Sequence, residues 1–261
     1  MTDLHLLSPD RVRRRLASTL ALALSVTSCH AAQEEQRLPD EDARPALGLM
    51  TSLPIYWGEP ADMEGLLDGS VEQHWMRSKL EERFSLLPLD TLGDAGGQPR
   101  NDLAQLDRLF VAQPRALTGA DNVALDAWVR EGGRLLLVLD PMMTDHSLYP
   151  IGDKRRFNDV ALVPPVLKRW GLAMQFPATA EPVEIAFGGT AVPVAEHGML
   201  STAALSPSDA KCEITAKALI ARCRIGEGEA LVVADAAFLN QDGNRQANVK
   251  AADAILSAAF D

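Results

Sequence analysis

The chain has 261 residues, with 36 acidic against 25 basic side chains and a formal charge of −11. That acidity argues against nucleic acid and against electrostatic docking on anionic lipid, since both are polyanions. Five His and three Cys, with no CxxC and no Cys/His cluster at ligand spacing, imply no metal, and no cofactor is expected.

Residues 1–28 are expected to be a secretory signal. Arg11, Arg13, Arg14 and Arg15 precede a charge-free apolar run at residues 16–26, far shorter than the roughly 20 residues a bilayer needs. Val26-Thr27-Ser28-Cys29 follows the pattern of bacterial lipoproteins, so Cys29 is the expected lipidation site. This places the protein in the cell envelope, periplasm-facing and lipid-anchored, with a soluble periplasmic protein as the alternative. The removed segment holds four Arg and two Asp, so the chain from Cys29 onward carries −13. Residues 29–45 read as a flexible tether and residues 46–261 as one α/β domain. With Cys29 lipidated, Cys212 and Cys223 remain as a candidate disulfide, and free buried cysteines are the equal alternative.

In chain order, the apolar run at 46–53 predicts a strand. Residues 70–84 predict a helix: Ser70 and Gln73 have capping-box spacing, and Val71, Trp75, Leu80 and Phe84 share a face. A strand at 85–89, a helical turn at 102–107 and a strand at 109–113 follow. Thr118, with Asp121 three residues on, caps a helix whose core face is Val123, Ala124, Ala127 and Trp128; Gly132-Gly133 ends it. Residues 134–140 (RLLLVLD) are an unbroken apolar run, as in a strand buried on both faces. Residues 160–170 predict a helix despite Pro164-Pro165. A less regular, β-rich segment spans about 177–225, and Gly226-Glu227-Gly228 turns the chain into a buried strand at 230–235. A helix at 246–260 buries Val249, Ala252, Ile255, Leu256 and Ala259. The alternation of strands and helices implies βαβ units and a parallel sheet covered on both faces.

Two stretches, QPRALTGADNVALDAWVREGGRLLLVLDP (residues 113–141) and IGEGEALVVADAAFLN (residues 225–240), carry a resemblance. They resemble the auxiliary domain of uncharacterised ABC-type transport systems, gliding-motility auxiliary proteins among them. The resemblance implies a flavodoxin-like, class I glutamine amidotransferase-like fold that has lost its catalytic apparatus, with a small β-rich insertion. It also implies ABC transporter membrane subunits as partners.

No G-x-C-x-G or G-x-S-x-G elbow, Walker A, G-x-G-x-x-G or H-E-x-x-H occurs, so no catalytic residue is assigned. Ligands of open α/β sheets bind beyond the carboxyl ends of the strands. There the sequence places Thr51, Ser52 and the aromatic pair Tyr56-Trp57, then Gln113 and Arg115, then Asp140, then Asp235 and Asn240. These are the candidate binding cleft, each also readable as an ordinary cap or turn residue. The leading expectation is a non-enzymatic extracytoplasmic lipoprotein that binds a ligand or serves a transporter. The alternatives are an envelope hydrolase using Asp140 and Asp235 with His146 or His197, and a structural lipoprotein that binds partner proteins.

Overall fold

The computed structural model describes residues 44–176, 183–203 and 209–261. The expected signal segment, the lipidation site Cys29 and nearly all of the tether lie outside the described residues. Its elements, in chain order, are β1 (Ala46–Thr51), α1 (Met63–Asp68), α2 (Trp75–Glu81), β2 (Ser85–Pro88), α3 (Asn101–Ala104), β3 (Arg108–Ala112), α4 (Gly119–Arg130) and β4 (Arg134–Val138). Then come α5 (Val166–Arg169), β5 (Leu172–Gln175), β6 (Val183–Phe187), β7 (Thr190–Val194), β8 (Met199–Thr202), β9 (Lys211–Thr215), β10 (Ile220–Ile225), β11 (Gly228–Val233) and α6 (Arg245–Phe260). Among the described residues no helix is long and apolar enough to cross a membrane.

Seven strands form the main sheet in the order β2-β1-β3-β4-β11-β10-β9. The pairs from β2 to β11 are parallel, whereas β10 runs antiparallel to β11 and β9 antiparallel to β10. The sheet is therefore mixed, which corrects the expected flavodoxin-like, amidotransferase-like parallel sheet. The reason is local: only Gly226 and Glu227 separate β10 from β11, and a two-residue connection can join only antiparallel strands. The β-rich segment supplies two further antiparallel pairs, β5 with β8 and β6 with β7.

Each face of the sheet buries its own core. On one side Leu47, Leu49, Phe110, Leu136 and Val233 pack with α2, α6 and the β6–β7 hairpin. On the other, Leu109, Val111, Leu135, Leu137 and Val232 pack with α4, α5 and β5. This two-sided burial explains the apolar run of β4, all of whose residues after Arg134 are buried.

Three helices differ from the sequence expectation. The region 70–84 does not form one helix: α1 is capped by the left-handed Gly69, and α2 starts six residues beyond it, at Trp75. His74, not Ser70, caps α2 by accepting the Met76 N–H at 3.2 Å, and Val71 is exposed. Residues 160–165 are not helical, because prolines lack the N–H and disfavour α geometry in the residue before them; only α5 remains. In α4 the Thr118–Asp121 capping box is present, but Val123 faces solvent. Asp121 also accepts the Leu92 and Gly93 N–H groups, which ties the loop after β2 to the start of α4.

A candidate anion-binding cleft

The chain leaves β1 for β2 on one side and then crosses to β3 on the other. Loops on opposite sides of such a switch point diverge, leaving a crevice above the carboxyl ends of β1 and β3. A cleft of about 520 Å3 opens there. Thr51 and Ser52 extend from β1, Trp57 and Val71 come from the segment before α2, and Asp90 follows β2. Arg115 stands beyond β3, and Tyr149, Lys154 and Arg155 arrive on the long connection after β4.

Of the four charged residues among these, three are cations: Arg115, Lys154 and Arg155 against Asp90. Arg115 Nη2 donates to the carbonyls of Lys154 and Arg156, which fixes the guanidinium at the cleft wall. Arg155 is bidentate to Asp153 and lies 4.1 Å from the centre of the Tyr149 ring. The pairing holds the half-buried Asp153 carboxyl down at about 2. Trp57 is 75% exposed, and its ring meets that of Tyr56 in a T-shaped contact, with centroids 4.8 Å apart.

The structure divides the nine predicted binding residues into four groups. Thr51, Ser52, Trp57 and Arg115 line the cleft. Tyr56 does not: it is half-buried under the Arg77 guanidinium and packs on the core, so the aromatic pair has one exposed member. Asn240 lies elsewhere, in a shallow depression with Thr144 and Asn248, and its Nδ2 donates to Thr144 Oγ1 at 3.0 Å. Gln113, Asp140 and Asp235 are fully buried.

Asp140 and Asp235 do not form a solvent-reachable pair. Asp140 accepts the N–H groups of Met142 and Ala236, and Asp235 those of Ala237 and Ala195. Burial raises the Asp140 carboxyl to about 6, and Glu196 adds to the rise. Burial and the Asp140 charge push Asp235 well above the ordinary carboxylate range. All four oxygens accept backbone N–H groups that close loops, and neither residue lines the cleft. Both carboxylates of the hydrolase alternative thus serve as buried acceptors for loop N–H groups.

Sequence reasoning missed Tyr149, Lys154 and Arg155, because their segment has no periodicity to read. It also missed a second cavity of about 210 Å3 whose wall holds Glu59, Glu72, His74, Asp145, His146 and Asp242. His74 there is neutral: burial lowers it to about 4, with the Arg245 charge adding to the effect.

Cys212 and Cys223 are opposed across β9 and β10, with Cα atoms 4.0 Å apart and sulfurs bonded. No group of three or more His, Cys, Asp or Glu among the described residues could hold a metal ion.

No protein-family model matches the chain, and no curated protein does. Similar solved structures are glycoside hydrolases. An exo-β-1,4-mannosidase from Opitutaceae bacterium strain TAV5 is 16% identical, with a TM-score of 0.49 over 83% of this chain and 36% of that one. Gan42B, a GH42 β-galactosidase from G. stearothermophilus, is 12% identical, with a TM-score of 0.46 over 82% of this chain and 30% of that one. The β-galactosidase of Rahnella sp. R3 is 10% identical, with a TM-score of 0.46 over 82% and 31%. The chain thus spans about a third of the length of these enzymes, and likenesses this distant carry no statement about its activity. They do correct the expected resemblance: these neighbours are not amidotransferase-like auxiliary domains. The transporter-associated lipoprotein function inferred from that resemblance falls with it.

Proposed function

We propose that the domain binds a small anionic ligand carrying a ring, such as a sugar or a base, in the cleft between β1 and β3. The observation that carries this reading is the charge of the cleft: three of its four charged residues are cations, in a chain of net −11. A guanidinium offers a planar fork of donors to a carboxylate or phosphate, and Arg115 is already held in place by two carbonyls. The exposed face of Trp57 suits a ring stacked against it. The volume falls in the range of small-molecule sites, about 300–1,000 Å3.

The test is titration of the full chain with glucose 6-phosphate, glucuronate and AMP, each beside its uncharged parent. The anions are expected to bind and their parents to bind at least tenfold more weakly. Equal affinity within each pair, or no binding by any anion, contradicts the reading.

An extracytoplasmic location is part of the proposal. The bonded Cys212–Cys223 pair supports it, since such bonds persist in oxidising compartments. Recovery of the full chain from the cytoplasmic fraction of a bacterial host would remove it.

A further inference from the structure

The cationic wall of the cleft is carried by an irregular connection, yet that connection is anchored at one buried point. Gln113 follows β3 directly, is fully buried and holds a left-handed backbone at φ 42°. Its side-chain Nε2 donates to the carbonyls of Asp140 and Asn158, both at 3.0 Å, and its Oε1 accepts the Asp140 N–H at 2.9 Å. Its own carbonyl receives Ser52 Oγ and the Ser52 N–H. Ser52 Oγ in turn accepts the Asn158 N–H at 3.1 Å, and Asn158 Nδ2 donates to the Pro114 carbonyl at 3.0 Å.

One residue therefore joins three segments: its carboxamide reaches the end of β4 and the segment 154–158, and its backbone carbonyl holds the loop after β1. Lys154 and Arg155 enter the cleft from that segment four and three residues before Asn158, and Arg115 leaves Gln113 two residues on. We propose that Gln113 is the positioning residue of the cleft: it touches no ligand, and it sets where the three cations stand relative to Trp57. This rests on the anionic-ligand reading and adds the element that makes the charge arrangement specific. A left-handed backbone is costly for most residues and tolerated by Gly and Asn, which the main chain here would accept. The presence of Gln is accounted for by its carboxamide, whose length lets it bridge residues 140 and 158.

The test needs no knowledge of the ligand. Trp57 is 75% exposed, while Trp128 and Trp170 are 4% and 1% exposed, so Trp57 dominates quenchable fluorescence once the Trp57→Phe signal of half-buried Trp75 is subtracted. In the unaltered full chain, iodide is expected to quench Trp57 at least twofold better than caesium. Gln113→Gly and Gln113→Asn keep the backbone and are expected to abolish that preference, with acrylamide quenching unchanged. If neither variant folds, Ser52→Ala removes the hydroxyl that links the Gln113 carbonyl to the Asn158 N–H and is expected to lower the preference. A residue that merely stabilised the fold would lower the melting temperature and leave the preference intact; that result in a folded variant overturns the assignment. Absence of any preference in the unaltered chain instead overturns the anionic-ligand reading, so the two failures are distinguishable.

Discussion

Asp140 and Asp235 each lie two residues beyond the end of one of the adjacent parallel strands β4 and β11, both without exposed surface, and the Asp140 charge raises the affinity of Asp235 for a proton. A carboxyl whose folded pKa lies above its unfolded value keeps its proton longer in the native state. The pair therefore contributes stability that is complete below about pH 4 and is lost as pH rises through about 6 and beyond.

His74 works in the opposite sense over the same range. Its folded value, about 4, lies below the unfolded 6.5, so its contribution falls as the pH drops from 6.5 towards 4. The difference is of the order of 3 kcal/mol, with desolvation as its main cause. His74→Asn preserves a capping acceptor for α2 and removes this titration. Urea unfolding from pH 4 to 7 is expected to show stability falling more steeply with rising pH in the variant than in the parent. An unchanged slope would mean that His74 does not titrate in this range.

Asp126 joins two helices. It accepts Trp170 Nε1 at 2.8 Å, Arg169 Nε at 2.6 Å and Arg130 Nε at 3.0 Å, and is 7% exposed. Asp126→Ala leaves the buried indole N–H without an acceptor and is expected to cost about 2 kcal/mol. Calorimetry would read this as a lower melting temperature; a change below about 0.5 kcal/mol would show that the surface arginines, and not the junction, set the geometry.

The turn between β9 and β10 holds Ala216, Lys217 and Ala218 all at positive φ, between 49° and 70°. Left-handed backbone costs a residue with a Cβ about 1 kcal/mol. Lys217→Gly is expected to stabilise the domain by about 0.5–1 kcal/mol in chemical unfolding. Destabilisation by that amount would show that the Lys217 side chain makes a contact worth more than the strain.

The same hairpin carries the disulfide, closing a loop of 11 residues' separation. Reduction should lower unfolding stability by about 3 kcal/mol on the chain-entropy estimate. A reductant-insensitive melting curve, in a chain shown by thiol titration to start oxidised, would contradict this.

Much of the domain was legible because burial on both faces writes an unmistakable pattern. The apolar runs at β4 and β11 and the Thr118–Asp121 box of α4 are set by local chemistry. The direction of β10 was legible too: the glycine turn at Gly226 demanded an antiparallel partner, in conflict with the parallel sheet that the strand–helix alternation and the resemblance both implied. The cleft was half legible. Strand ends point to Ser52 and Arg115, but whether Tyr56 or Trp57 is exposed depends on Arg77, 20 residues away in sequence from Trp57. Lys154 and Arg155 are placed by hydrogen bonds from Arg115 and by the junction at Gln113, which only the folded chain brings together.

The most direct test of the cationic cleft is calorimetric titration of the full chain and of Arg155→Glu with glucose 6-phosphate and glucose. The account predicts that glucose 6-phosphate binds the unaltered chain at least tenfold more tightly than glucose. Reversing the Arg155 charge should weaken its binding about ten- to hundredfold, in line with loss of a charge-assisted hydrogen bond. Equal binding of the phosphate by both proteins, or no discrimination between phosphate and glucose, would contradict it.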